Sequence, residues 1–180
     1  MKSRRKKNVI ILLLPFLLLF FININKANSQ PNKIIIKGGV ISFYVHSYSQ
    51  FESGLTRNGW TTINFDLNDT DISKSGWKLQ LRADNTVIQW DDGAPGVGIS
   101  LNSFVIQVQS VSSSNGDIIT TNSPLTVTNS LQDLCSGNLD VDAIEIVLNY
   151  QLGVAPSPNL LNKPPGYYYM TLEFFLETDI

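Results

Sequence analysis

The last segment of the chain has the most regular alternation of apolar and polar positions. After Pro164 and Pro165, every second residue from Tyr168 to Leu176 is apolar and falls on one face. These residues are Tyr168, Met170, Leu172, Phe174 and Leu176. A period of two is typical of a β-strand with one buried face. The pattern therefore predicts one strand from Gly166 to Thr178.

Other segments show the same period. Residues 77–83 alternate without a fault, with Trp77, Leu79, Leu81 and Ala83 on the apolar face. Such a pattern is typical of a half-buried antiparallel strand. We predict further strands at 34–36, 40–45, 60–67, 86–90, 99–101, 104–111, 117–121, 125–128 and 143–152. Gly38-Gly39 interrupts this pattern and predicts a bulge or a change of sheet.

Turn residues separate these segments. Asp84-Asn85 predicts a tight turn, and Ser114–Asp117, which contains Asn-Gly, predicts a hairpin whose returning strand is 117–121. The polar stretch 47–59 predicts a loop. Residues 130–138 are expected to be irregular, with one helical turn around 131–135.

Composition and periodicity together define the fold class. Beyond residue 29, no segment of useful length has a helical period. Short strands with turns between them predict one all-β domain, an antiparallel β-sandwich of the immunoglobulin or pilin-like type. A jelly roll or a small barrel is the alternative architecture.

Residues 1–29 have the pattern of a secretory signal peptide. Five basic residues near the start precede an apolar run, and Ala27-Asn28-Ser29 supplies small residues for cleavage before Gln30. The apolar run is shorter than a typical membrane span of about 20 residues. We therefore expect a domain of residues 30–180 that is secreted or displayed at the cell surface, through the periplasm if the host is Gram-negative, with no membrane span after cleavage.

Charge and cysteine content narrow the range of partners. Residues 30–180 keep seven of the 13 lysines and arginines and all 15 acids, which gives a net charge of −8. An acidic domain without a basic cluster is a poor binder of nucleic acid. A single cysteine, Cys135, cannot form an internal disulfide, so we expect it to be a small buried hydrophobic residue.

Catalytic and metal chemistry find little support in the sequence. His46 is the only histidine and has no nucleophile motif around it. Paired carboxylates at Asp91-Asp92, or at Asp140 with Asp142, could serve an acid-based glycoside hydrolase, and a hydrolase built on Asp91-Asp92 and Asp140 is our third hypothesis. The acids and amide between Asp66 and Asp71 lack the glycine and glutamate of an EF-hand loop. We expect a protein that is not an enzyme, with no cofactor and no metal site.

Aromatic residues suggest a ligand-binding face instead. Trp60 and Trp90 stand at predicted strand ends, and Asp91 and Asp92 follow directly. Aromatic rings and carboxylates at strand ends are suited to binding a glycan, so a carbohydrate-binding module is the alternative function. Tyr167–Tyr169 extends the same possibility, whereas the alternation assigns Trp77 to the core.

The layout resembles subunits of chaperone–usher fimbriae and related pilin-like, spore-coat-U-like exported domains. The resemblance rests on the exported all-β chain, the apolar segment 33–43 after a polar tail, and the alternating stretch that begins at Gly166. It implies that the final strand pairs with an export chaperone and that an N-terminal strand completes a neighbouring subunit by β-augmentation.

Applied to this sequence, the resemblance implies a surface structural or adhesive subunit that assembles with itself or with a chaperone. The partner-strand residues would be Ile34, Ile36, Tyr168, Met170, Leu172, Phe174 and Leu176. The chain departs from the family pattern in its single cysteine and in Asp179, where a tyrosine is common.

Overall fold

The computed structural model describes residues 33–67, 76–91, 98–114, 118–137 and 143–178. All of them lie in one compact unit, Pro31–Ile180. The predicted signal peptide, the tip of the predicted hairpin turn at 115–117, Asp92 and Asp140 lie outside the described residues.

The described residues form thirteen β-strands, one short α-helix and one 3-10 turn. In chain order the strands are β1 (Lys33–Lys37), β2 (Ser42–Val45), β3 (Leu55–Asp66), β4 (Trp77–Ala83), β5 (Val87–Trp90), β6 (Gly98–Ser100), β7 (Phe104–Ser113), β8 (Thr120–Thr121), β9 (Leu125–Thr126), β10 (Gln132–Gly137), β11 (Ile144–Leu152), β12 (Gly166–Tyr169) and β13 (Leu172–Thr178). The helix, α1, is Tyr48–Ser53, and the 3-10 turn is Leu101–Ser103.

The strands pair antiparallel in three sheets. Sheet I has the order β1-β3-β11-β7-β9, sheet II the order β13-β4-β10-β8, and sheet III the order β2-β12-β5-β6. This arrangement confirms the predicted all-β, antiparallel fold class. The change of sheet predicted at Gly38-Gly39 is also present, because β1 belongs to sheet I and β2 to sheet III.

Sheets II and III meet at a corner. The chain passes from one sheet to the other twice there, between β4 and β5 and between β12 and β13. Tyr169 lies opposite Gln89 in sheet III, and Leu172 lies opposite Ala83 in sheet II. Between them, the Asp84 N–H donates to the Thr171 carbonyl at 3.1 Å. The strand predicted from Gly166 to Thr178 is therefore two strands, and Asp84-Asn85 links two sheets instead of turning a hairpin.

Sheet I packs against both of the other sheets and forms a sandwich. The rings of Phe65 and Trp77 meet edge to face at 5.0 Å between sheets I and II. Phe104 and Phe43 do the same at 5.9 Å between sheets I and III. Burying a large apolar side chain contributes about 1.5–3 kcal/mol, so these contacts carry much of the stability.

The regular alternations predict the core correctly. The apolar face of β4 is fully buried, and so is the face of β11 that begins at Ile144. Ile63, Phe65 and Leu67 are also buried on one side of β3 and its end. A strand with one face against a partner sheet has to place its apolar residues at every second position.

The predicted hairpin at 114–117 is wrong. Strand β7 pairs with β11 and β9, whereas β8 pairs with β10 in sheet II. The Ser114 N–H donates to the Ala143 carbonyl at 3.0 Å, which extends the β7–β11 ladder. A turn signal acts only locally, and here the long-range pairing of the buried β11 determines the topology.

Two further errors arise from bulges that hide the period of two. Residues 130–138 contain β10, where a register shift between Asp133 and Cys135 lets Leu134 and Cys135 both be buried. The predicted loop 47–59 contains α1 and the first part of β3. In β3, Gly59 has a φ of 58° and its N–H donates to Asn149 Oδ1 at 2.7 Å, next to a register shift.

Alkaline pH should reveal the burial of Cys135. Burial raises the pKa of its thiol from 9.0 to about 12, so above pH 9 the thiol ionises only in the unfolded chain. The free energy of unfolding is unaffected below pH 9 and should fall by about 1.4 kcal/mol per pH unit as the pH rises toward 12. Urea denaturation under reducing conditions should show a smaller loss between pH 8 and pH 10.5 in Cys135→Ala.

Tyr150 provides the control for that experiment. Burial raises its pKa to about 12, against a smaller lowering by the Thr61 side chain, and both chains keep this tyrosine. The Cys135→Ala chain should therefore retain a residual loss above pH 10. Parallel pH profiles for the two chains would contradict a buried, protonated Cys135.

Candidate interaction surfaces

The two tryptophans proposed for a ligand face lie in different sheets. Trp60, in β3, donates from Nε1 to the Val40 carbonyl at 2.8 Å. Trp90, in β5, packs against the core and covers Gly166, whose added Cβ would lie 2.4 Å from Trp90 Nε1. The Asp91 N–H donates to the Tyr167 carbonyl of β12 at 3.0 Å. The two indole rings thus make separate contacts: Trp60 contacts Val40, and Trp90 contacts Gly166.

The outer side of sheet III carries a different aromatic group, the tyrosine face. Tyr44 lies directly opposite Tyr167, and their rings stack at 4.6 Å. His46 stacks on Tyr44 at 4.8 Å, and Tyr169 stands on the same side, with 46% of its surface exposed. The sequence indicated the tyrosines of β12. It could not indicate that β2 pairs with them and adds Tyr44 and His46.

The pocket between sheets III and I is too small for a ligand. It is lined by Phe43, Phe104, Tyr168, Met170 and other apolar residues and has a volume of about 10 Å³. That is room for a single water molecule. Any ligand of sheet III would therefore contact its outer side.

Strand β13 is the longest of the edge strands of the three sheets among the described residues. It has seven residues and pairs with β4 alone. Its inward side chains, Leu172, Phe174 and Leu176, pack against the core but are only partly buried, whereas Leu79 and Leu81 on β4 are completely buried. The sandwich is therefore incompletely covered along this edge.

The backbone groups that face this open edge follow from one hydrogen bond. Directly opposite pairs in an antiparallel ladder alternate between pairs that exchange hydrogen bonds and pairs that do not. The bond from Asp84 to Thr171 marks a bonded pair, so Glu173, Phe175 and Glu177 also bond toward β4. The N–H and C=O groups of the alternate residues point away from β4. These residues are Leu172, Phe174, Leu176 and Thr178.

Strand β1 is the corresponding edge of sheet I. It pairs only with β3 in the part of the chain that the structure describes, with Ile34 opposite Phe65 and Ile36 opposite Ile63. Ile35 and Ile36 remain 41% and 40% exposed. Thus the proposed donor residues Ile34 and Ile36 pair within their own chain and cover two core residues.

Tyr168 differs from the other proposed partner-strand residues. It is completely buried in β12, which pairs with β2 on one side and β5 on the other. Its hydroxyl donates to the Pro164 carbonyl at 2.6 Å. Met170 lies at the corner between β12 and β13. Sheet order, which a single sequence does not reveal, separates these two residues from the open edge.

The described residues considered for catalysis differ in their surroundings. His46 is exposed and stacked on Tyr44. Cys135 is buried, and its raised pKa disfavours the thiolate that a nucleophile requires. Of the candidate hydrolase acids, only Asp91 lies within the described residues.

Metal-binding groups are likewise sparse in the described ranges. A polar recess of about 350 Å³ on sheet I contains Asp66 and Glu145 with serines and an asparagine. No cluster of three His, Cys, Asp or Glu side chains suited to a metal occurs among the described residues. The other acids of the segment 66–71 lie outside them.

Comparisons with known proteins give no family for this chain. No protein-family model matches the sequence, and a search of curated proteins gives no match. Within the described residues, no helix has the length and apolar character needed to cross a membrane.

Proline substitution should reveal which β13 groups face outward. Thr178→Pro removes an N–H that points to the open edge, so we expect the free energy of unfolding to change by less than about 0.5 kcal/mol. Glu177→Pro removes an N–H that bonds to β4 and should cost at least about 1 kcal/mol. Urea denaturation compares the two chains. Equal losses, or a larger loss for Thr178→Pro, would contradict the assigned alternation.

Proposed function

We propose that this protein is an exported, non-enzymatic β-sandwich that serves as a surface structural or adhesive subunit. It acts by β-augmentation: a partner strand adds to the open edge of β13, either during self-assembly or on an export chaperone. The observation that carries the proposal is the seven-residue edge with outward backbone groups and partly buried inward side chains.

The chemistry of this edge favours strand addition. A partner strand would satisfy four outward N–H and C=O pairs and cover the exposed parts of Leu172, Phe174 and Leu176. Natural edge strands usually discourage pairing through proline, a bulge, charged side chains or very short length, and the charges of β13, Glu173 and Glu177, lie on its outer side. Strand β13 has seven residues, no proline and an unbroken register with β4.

The first residues support the same function. The predicted signal peptide would deliver the domain outside the cytoplasm, where assembly takes place. N-terminal sequencing of the protein recovered after expression of the full chain tests this step, and we expect the sequence to begin at Gln30. Cell fractionation should then place the protein in the medium or at the cell surface.

Light scattering tests the proposed assembly. The purified protein should form oligomers whose mass increases with concentration. Leu176→Lys and Phe174→Lys each place a charge on the inward side of the edge, so both chains should become monomeric. The melting temperature of each chain shows whether it remains folded. Oligomers that persist in both folded variants would rule out the β13 edge as the contact.

A second candidate, sugar binding, is favoured by the tyrosine face. Exposed aromatic rings on one side of a sheet offer apolar surface and hydroxyl groups to a glycan. Tyr44, Tyr167 and Tyr169 are each 43–50% exposed. The glycan would bind without any change in the β13 edge.

The two candidates predict opposite patterns in the same set of variants. If assembly is the function, Tyr167→Ser and Tyr169→Ser should leave the oligomers unchanged and so serve as controls for the edge variants. If sugar binding is the function, a glycan array and calorimetry should detect binding that these two changes abolish and Leu176→Lys preserves. Monomers that bind no glycan would oppose both candidates.

A further inference from the structure

The edges formed by β1 and β13 carry complementary sequences. Strand β1 reads Lys-Ile-Ile-Ile-Lys from Lys33 to Lys37. Residues 173–177 of β13 read Glu-Phe-Phe-Leu-Glu. Each segment has three apolar residues between two like charges, and the charges have opposite sign. Lys37 makes no ion pair within the described residues and is exposed. It is therefore free to bind an acid on another molecule.

The backbone alternation of β1 follows from its neighbours in sheet I. The bond from Ser114 to Ala143 marks a bonded pair between β7 and β11, so Glu145 and Val147 also bond toward β7. The intervening residues, Ile144 and Ile146, then bond toward β3. Phe65 and Ile63 lie opposite these two residues, so their N–H and C=O groups bond toward β11.

The N–H and C=O groups of the alternate residues of β3 point toward β1. Asn64 therefore forms a bonded pair with Ile35, whereas the Ile34–Phe65 and Ile36–Ile63 pairs exchange no hydrogen bonds. The backbone groups of Ile34 and Ile36 point to the open side of β1. Their side chains lie on the core side of sheet I, opposite Phe65 and Ile63.

We propose that the partner of the β13 edge is the β1 edge of a second copy of this chain, joined antiparallel with Lys37 opposite Glu173. This step rests on the proposed assembly function and names its partner. In this register Ile36 lies opposite Phe174, Ile34 opposite Leu176 and Lys33 opposite Glu177. Sheet I of one copy continues into sheet II of the next.

One register satisfies three conditions at once. Outward backbone groups of β1 meet outward backbone groups of β13, because both belong to the even-numbered residues. Side chains on the core side of β1 lie beside side chains on the core side of β13. On the outer side, Ile35 lies opposite Phe175, which is 38% exposed. The opposite charges of Lys37 and Glu173 face each other, which favours pairing across strands.

Other pairings of the same edges fail at least one condition. In a parallel pair, a residue whose backbone groups point to the partner strand lies opposite a residue whose groups point away from it. The outward residues of β1 would then lie beside the inward-bonded residues of β13, so the core side of one copy would be continuous with the solvent side of the other. Two β13 strands centred on Phe175 would place Glu173 opposite Glu177. Two β1 strands would place lysine opposite lysine. Like charges directly opposite each other destabilise a strand pair.

This contact differs from strand donation. Strand β1 has two sides, and the proposed contact uses only the side that its own β3 leaves open. The strand does not have to leave its own sheet. Because the two contacting surfaces differ, the contact is heterologous, and its repetition gives a ring where the rotation between copies closes and an open chain of copies where it does not.

Charge reversal tests the register. Lys37→Glu and Glu173→Lys should each weaken self-association at least about tenfold, because each places like charges opposite one another. An equal mixture of the two chains should assemble again, since each β1 then meets a β13 of opposite charge. Light scattering measures all three samples. Glu52→Lys, an equal charge change on exposed α1, is the control and should assemble normally.

Glu173 also accepts a hydrogen bond from Arg82 Nε at 2.6 Å, so each variant is checked for its melting temperature. If Glu173→Lys proves unfolded, Lys33→Glu and Glu177→Lys give the same mixing test at the other end of the register. Wild-type oligomers with no recovery in the mixture would overturn the register and leave the assembly function in place. A wild-type chain that is monomeric at all concentrations would overturn both.

A disulfide lock separates edge addition from strand donation. Ile35 lies directly opposite Asn64, so Ile35→Cys/Asn64→Cys in a Cys135→Ala background should tie β1 to its own sheet. Under edge addition, the oxidised and reduced forms of this chain should assemble to the same extent. Assembly only after reduction would show that β1 has to leave β3, which would overturn this contact and favour donation.

Discussion

The hydrogen bond between Asp84 and Thr171 lies at the corner where sheets II and III meet, and the arrangement of the last strand depends on it. An antiparallel ladder links the direction of each backbone group to the face of each side chain. Once this pair is fixed, β13 has its apolar residues toward the core and the backbone groups of those same residues toward open space. The edge is therefore both apolar and ready to form hydrogen bonds.

The regular strands could be predicted from the sequence because each buries one face. Trp77–Ala83 and Ile144–Leu152 follow the period of two throughout, so their core residues were identified correctly. The bulges near Gly59 and Cys135 break that period, and the strands there were missed. Pairing partners were also missed, because a turn signal such as Asn-Gly does not indicate which distant strand has the better apolar face.

The candidate surfaces, too, could be predicted only in part from the sequence. The alternation in 166–178 identified Leu172, Phe174 and Leu176 as residues of one face, but their position on an open edge depends on sheet order. Trp60 and Trp90 both stand near strand ends in the sequence, yet they belong to different sheets. Such information comes from contacts between residues far apart in the chain, which local periodicity does not contain.

The hydrogen bond from Trp60 Nε1 to the Val40 carbonyl joins β3 to the segment that connects β1 with β2. Trp60 is 44% exposed, whereas Trp77 is completely buried and Trp90 packs against the core. Of the three tryptophans, Trp60 should therefore have the fluorescence emission that depends most on the position of this connecting segment. The chain contains its own fluorescent reporter of whether β1 remains docked, without any added label.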